Sequence, residues 1–302
     1  MTYGIDESAQ TDERQRLAEM VVRVSAELGY FCTAFADRVE LSGNGISGWV
    51  LHLENLHRKA AGEPEDQWHA LVADHLSTAL SELDLAATSP RGTDHFEEVR
   101  PLIRTRIYPE NMQVVSAPVV SRTLAAGLVQ RVVLDHINTI APVTQDQLSR
   151  WPIEESELFD LAEANTRGVG LLQLTDIDTD SGEKIIGLYG SDDYASAHIR
   201  WLSAYPVAGR WGSAFVVPCE GSVYVHPLTG SDAFVTIGTL ASMAATGHAE
   251  RPSPISSSVY WWHDDMIDLA AVVEQSLDTF ELNVSPNFQK VMEDIAEQAD
   301  AP

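Results

Sequence analysis

The residues best suited to chemistry lie in one short run, Arg100-Pro101-Leu102-Ile103-Arg104-Thr105-Arg106-Ile107-Tyr108-Pro109. Its three guanidinium groups are rigid forks of N–H donors that match phosphate or carboxylate oxygens, and the Tyr108 ring can stack on a ligand. In a chain this acidic, the favoured reading is internal pairing with surplus carboxylates, which would pin an irregular linker to a sheet. Arg100, Arg104, Arg106 and Tyr108 are still the best candidates for a ligand-binding or partner-binding surface.

Other fragments have the right residue types in the wrong places. His52-Leu53-Glu54 and Pro218-Cys219 resemble pieces of a zinc deaminase site, but that site needs a second thiolate three residues after the first, and position 222 is Ser. His52 and His57 diverge on a helix and lack the spacing that aims two imidazoles at one zinc ion. Gly168-Val169-Gly170 precedes a strand-like run, whereas a dinucleotide loop follows a strand and opens a helix. There is no Gly-Lys-Ser/Thr phosphate loop and no Gly-x-Ser-x-Gly elbow. No catalytic residue, metal ligand or cofactor is therefore expected.

Three carboxylate groupings read as structural. Asp135-His136 ends a strand, where neighbours point to opposite faces and cannot form a dyad. His263-Asp264-Asp265 follows Tyr260-Trp261-Trp262 and could hold a hard cation, but Asp serves a turn equally well. Asp176, Asp178 and Asp180 alternate like a calcium loop, yet Gly182 is not at its sixth position and Gly187 replaces the closing Glu.

The chain has 302 residues, 45 acidic against 19 basic, and a formal net charge of −26. That field repels phosphate backbones and anionic lipid, so generic nucleic-acid or membrane-surface binding is disfavoured, while a basic protein partner is permitted. Cys32 and Cys219 are too few and too far apart for a disulfide scaffold or a four-ligand zinc site. The first fifteen residues carry Asp6, Glu7, Asp12 and Glu13 and do not read as a signal peptide. Ala233 to Ala249 is uncharged apart from His248, but it is short and rich in Ser, Thr and Gly, which suits a buried helix better than a membrane span. The expected location is cytoplasmic.

Periodicity supplies the elements that must position these residues. Leu17, Met20, Val21, Val24 and Leu28 mark one helix face over 12–28. A hairpin is expected from 31–41 and 46–53, turned at Ser42-Gly43-Asn44-Gly45. Helices follow over 54–61 and from Pro64 onward, with Trp68, Leu71, Val72, His75, Leu76 and Leu80 facing inward. After a break at 89–93, residues 100–120 look irregular because of Pro101, Pro109 and Pro118. A strand is expected at 128–137, and helices at 144–151 and 153–167, with Thr144 and Asp146 at the first N-terminus. Strands at 169–175 and 184–189, a helix at 192–204, a hairpin at 214–219 and 222–226, a helix at 232–247, strands at 257–262 and 279–284 and a helix at 286–298 complete the reading.

The chain is thus expected to be α+β, with antiparallel or mixed sheets and helices packed on them. A repeated β-β-α(-α) grammar is suggested at 31–80 and 128–167, with an echo at 214–245. The division expected is 1–92, an irregular Arg/Pro-rich linker at 93–127, and a larger domain at 128–302.

The chain also resembles the DUF1444 (YtpQ-like) family of bacterial proteins. The resemblance is carried by Trp49-Val50-Leu51-His52-Leu53-Glu54-Asn55-Leu56, Ile103 to Pro109, Gln145 to Trp151, Leu161-Ala162-Glu163-Ala164-Asn165, Ala214 to Val225 and Pro254 to Trp262. It implies an α+β cytoplasmic fold of unknown function and supplies no catalytic residues. Where the family's hairpin is expected to carry an Arg-Asp pair after its Pro, this chain has Cys219-Glu220, which argues against a charge-paired role for that turn. The functional expectation is a non-catalytic binding or adaptor protein engaging a basic protein partner. The alternative is a small-molecule enzyme or sensor holding an anionic ligand through Arg100 to Tyr108.

Overall fold

The computed structural model describes residues 7–35, 38–43, 46–88, 95–112, 117–135, 140–179, 184–190, 194–275 and 280–299. The chain falls into two compact units, residues 1–89 with 137–139, and residues 90–136 with 140–302. Every pairing between named strands is antiparallel, and the fold is α+β.

In the first unit, α1 (Glu7–Glu27) precedes β1 (Phe31–Ala34), β2 (Arg38–Gly43) and β3 (Ile46–His52), followed by α2 (Glu54–Ala60) and α3 (Trp68–Thr88). The expected two-stranded hairpin is instead a three-stranded sheet in the order β1-β2-β3. The segment 31–41 is divided because it folds back on itself, and Phe35 N–H closes the reversal by donating to the Arg38 carbonyl at 2.8 Å. The 42–45 turn lies partly outside the described residues. Leu17, Val21 and Val24 of α1 meet Val39, Leu41, Leu53, Leu56, Trp68, Val72 and Leu76 in one core, which is the inward face that the helical spacing predicts. Pro64 precedes a 3-10 turn, Glu65–Gln67, and the α-helix itself starts at Trp68.

The second unit opens with α4 (Phe96–Val99) and β4 (Ile103–Pro109). The irregular linker expected at 93–127 is therefore corrected, because β4 is a full strand. Its prolines bracket the ladder without interrupting it. Pro101 sits in a 3-10 turn, Pro109 is the last paired residue, opposite Leu128, and Pro118 lies outside any named strand. The break expected at 89–93 lies outside the described residues.

Next come β5 (Ser121–Ala125), β6 (Leu128–Asp135), β7 (Ile140–Pro142), α5 (Gln145–Arg150) and α6 (Glu155–Arg167). Strand β6 is central, flanked by β4 on one side and by β5 and β7 on the other. Thr144 caps α5 in a capping box with Gln147, which satisfies donors that an open helix end would leave bare. Ile103, Val132 and Leu134 on one sheet face pack against Leu148, Leu158, Phe159 and Ala162 of these helices.

The larger sheet holds β8 (Gln173–Ile177), β9 (Ile185–Tyr189), β10 (Ser213–Cys219), β11 (Ser222–Pro227), β12 (Val259–His263), β13 (Met266–Gln275) and β14 (Phe280–Val284), in the order β14-β13-β12-β10-β11-β9-β8. Helices α7 (Ala233–Glu250) and α8 (Pro286–Ala299) cover one face through Ile237, Leu240, Ala244, Phe288 and Ile295. On the other face, Phe215, Val217, Val225 and Tyr260 meet Ile107 and Leu128 of the smaller sheet and Ile199 and Leu202 of a 3-10 segment, Ala195–Ala204. The helix expected at 192–204 is a 3-10 helix over its described part, Asp192 and Asp193 lying outside the described residues. Its helical geometry breaks at Trp201 (φ −136°, ψ 49°), whose indole N–H donates to His198 Nδ1 at 3.0 Å. Among the described residues, no helix is long and apolar enough to cross a membrane.

Candidate functional site

Strand geometry sorts the arginine run onto two faces of the smaller sheet. Ile103, Thr105 and Ile107 point toward the cores described above, so Arg104, Arg106 and Tyr108 occupy the opposite face. Across the ladder, Arg106 stands directly opposite Arg131 of β6, and Tyr108 opposite Val129. Tyr108, Val129 and Val133 join Tyr194 in a small separate cluster on that side.

Arg106 is only 7% exposed and forms an ion pair with Glu220 at the β10–β11 turn. The charge-paired role that the resemblance argued against at Cys219-Glu220 is therefore present, with its partner contributed by β4. The Arg106 guanidinium also lies 5.6 Å from the Tyr108 ring centre and 5.7 Å from that of Tyr194. Arg131 is 6% exposed and lies 5.0 Å from the Tyr108 ring centre. Its Nη2 donates to the Met112 carbonyl at 2.5 Å, while Nε and Nη1 are buried with no hydrogen-bond partner. Burial lowers the Arg131 pKa, opposed in part by Tyr108. Burial raises the Tyr108 pKa, against the pull of Arg106, and burial together with Asp135 raises that of Tyr194.

The other expected residues make no recorded ion pair or hydrogen bond in this cluster, although the charge of Arg104 acts on Tyr194. Arg104 turns back on its own chain, with Nη1 donating to the carbonyls of Pro101 at 2.6 Å and Ile103 at 3.0 Å. Arg100 is exposed, 3.6 Å from Glu97. Arg131 is not singled out by the sequence, and Glu220 is noted there only at a turn where a charge-paired role is not expected. The only signal for Arg131 was a lone cation inside the apolar run Leu128 to Leu134.

The opposite face of the same sheet carries a closed network. Glu163 Oε1 on α6 accepts from Arg122 Nη2 at 2.6 Å, Gln130 Nε2 at 2.9 Å and Arg200 Nε at 3.0 Å. Arg122 Nε donates to Gln130 Oε1 at 2.7 Å, and the Arg122 guanidinium lies 4.3 Å from the Phe159 ring centre. Both guanidinium groups here reach the same carboxylate oxygen, and the charge of Asp160 also acts on Arg122, which suits a strut tying α6 to the strands.

A cavity of about 380 Å³ opens where β12 turns into β13, lined among others by Arg210, Trp211, Trp261 and His263. Asp264 and Asp265 both have positive φ (47° and 57°) between the paired residues His263 and Met266, so they form a two-residue hairpin turn. The cation-holding reading of His263-Asp264-Asp265 gains nothing from this. His263 Nε2 instead contacts Asp268 Oδ2 at 3.0 Å, and its ring stacks on Trp261 at 3.6 Å.

Asp176 lies within β8 and Asp178 just after it, while Asp180 and His136 fall outside the described residues, as does the side chain of His52. Cys219 Sγ lies 3.1 Å from Ser222 Oγ, the position where a zinc site would need its second thiolate. Among the described residues, no group of three His, Cys, Asp or Glu is placed to hold a metal ion.

Strand β8 ends the larger sheet, and Gln173, Leu174, Thr175 and Asp176 are all exposed. Val169 and Leu171, just before it, are 64% and 63% exposed. Compared with protein-family models, curated proteins and solved structures, the chain matches none.

Proposed function

We propose that this is a non-catalytic binding protein that takes up an extended basic segment of a partner protein along the open edge of β8. The observation that carries this reading is the exposure of that edge. A terminal strand offers a row of unpaired backbone N–H and C=O groups to another chain, and most proteins cover or charge such edges. Here the strand and its approach expose Val169, Leu171 and Leu174, with Asp176 and Asp178 alongside. Added strands gain affinity from backbone hydrogen bonds and selectivity from alternate side chains. In a chain of net charge −26, basic side chains are the complementary choice and speed encounter.

The probe is a fluorescent peptide of alternating Val and Lys residues, titrated into the full chain at low and high salt. Saturable binding that weakens with salt and falls about tenfold in Leu174→Lys supports the reading. Binding that ignores both salt and Leu174→Lys, or no binding at all, overturns it.

A further inference from the structure

We propose that the sheet face bearing Arg106 and Arg131 is a binding site for a small oxyanion, either a phosphate-type group or a carboxylate, with Arg131 as its principal donor. A guanidinium carries five N–H donors and no acceptor, so burial is tolerated when those donors are engaged and the charge is matched. Arg106 has its charge matched by Glu220, whereas among the described residues Arg131 has no recorded ion pair. It is 6% exposed, spends Nη2 on the Met112 carbonyl, and keeps Nε and Nη1 buried without a partner.

The charge count points the same way. Arg106 and Arg131 are opposite one another on adjacent strands, so two like charges are buried side by side. The carboxylate known to reach them, Glu220, is paired with Arg106. The nearby Asp135 acts on Tyr194, whose pKa it raises. A neutral acceptor such as water would satisfy donors but leave the surplus charge, while an oxyanion answers both needs.

The network on the opposite face also has two guanidinium groups to one carboxylate, but there each of them reaches that carboxylate. There Arg122, Arg200 and Gln130 all converge on one carboxylate oxygen supplied by Glu163. On the Arg131 side, among the described residues, no carboxylate is recorded in contact with Nε or Nη1. Tyr108, beneath both guanidinium groups at 5.6 and 5.0 Å, forms a rigid aromatic floor, and burial keeps its phenol protonated. The acidic remainder of the molecule repels long polyanions, which restricts the ligand to a small one.

The test uses the full chain in chloride buffer, titrated with inorganic phosphate, sulfate and acetate at matched ionic strength by calorimetry and thermal melting. Saturable binding with a rise in Tm is expected for at least one of them. Response to phosphate and sulfate alone assigns a phosphate-type ligand, and response to acetate alone assigns a carboxylate. Arg131→Gln should weaken binding about tenfold or more, the effect of losing one charge-assisted hydrogen bond. Should that variant fail to fold, Arg131→Lys keeps the charge but loses the fork. The wild-type arginine Nε–H resonance gives an independent readout, because it should shift during the same titration. No saturable response beyond chloride, or an unchanged response in the Arg131 variants, overturns the proposal.

Discussion

Arg106 of β4 and Arg131 of β6 face each other across one rung of the smaller sheet, yet among the described residues only Arg106 is seen paired with a carboxylate. The asymmetry separates a structural arginine from an available one. Arg106 links the smaller sheet to the β10–β11 turn of the larger one, whereas Arg131 ends in two buried nitrogens without partners.

The Arg106–Glu220 pair should contribute measurably to stability. Glu220→Gln removes the carboxylate and leaves Arg106 buried beside Arg131. Losing one partner of a buried ion pair costs about 3–5 kcal/mol, because the remaining charge stays uncompensated. The double variant Arg106→Met with Glu220→Leu should recover much of that loss, since both the attraction and the desolvation cost disappear. Urea denaturation of the two variants and the parent checks this. A Glu220→Gln loss under about 1 kcal/mol would mean that water already screens the pair.

Glu163 should make stability depend on pH at the acid end. Burial pushes its carboxyl pKa up, but hydrogen bonds from Gln130 and Arg200, with the charges of Arg200 and Arg122, outweigh that and hold it below the ordinary 4.5. A folded pKa below the unfolded one gives stability that is fully present above the unfolded value and lost as pH falls through the folded value. The stability gap between the parent and Glu163→Gln should therefore stay constant near neutrality and close below about pH 4.5. Denaturation curves across that range test it, and a gap that persists at low pH contradicts it.

His75 should act in the same direction at higher pH, in the first unit. Burial lowers its pKa from 6.5 to about 4, with Lys59 adding to the shift, and its Nε2 is buried without a hydrogen-bond partner. Between those values the unfolded chain binds a proton that the folded chain does not. Stability is therefore full above pH 6.5 and falls as pH drops toward about 4. The loss has an upper bound of roughly 3 kcal/mol. His75→Leu, which keeps the site apolar, should remove this acid sensitivity. Hydrogen exchange of the α3 amides at neutral and mildly acid pH provides the measurement, and equal acid sensitivity in parent and variant would count against it.

What the sequence revealed follows from how local each signal is. The α1 face, the inward side of α3 and the Thr144 cap depend on residues three or four apart and are legible, except that Leu28 lies past the end of α1 and is exposed. Strand β4 was obscured by Pro101 and Pro109, which mark its ends but read as interruptions from sequence alone. Strand β13 was missed because Asp264-Asp265 lacks the glycine that usually signals a two-residue turn. The candidate site was half legible. Arg106 and Tyr108 stand out in composition, but Arg131 and Glu220 acquire meaning only from strand pairing and from contacts between distant segments.

Two glycines offer a final comparison of local conformation with local space. Gly212 has φ +83°, and a Cβ there would lie 2.2 Å from the Trp262 carbonyl oxygen, a backbone atom held in the sheet beside Ser213. Its own carbonyl accepts from Gly209 N–H at 3.0 Å and Leu228 N–H at 2.9 Å, so the backbone has little room to yield. Gly212→Ala should therefore cost about 3 kcal/mol or more and disturb the cavity where Trp211 and Trp261 meet. Gly221, in the β10–β11 turn, has no atom within 4 Å of an added Cβ and no positive φ. Gly221→Ala should be neutral or stabilise by up to about 1 kcal/mol through the unfolded state. Urea denaturation followed by tryptophan fluorescence reads both variants. Equal losses at the two positions would show that the tight approach of Gly212 to Trp262 does not govern the cost.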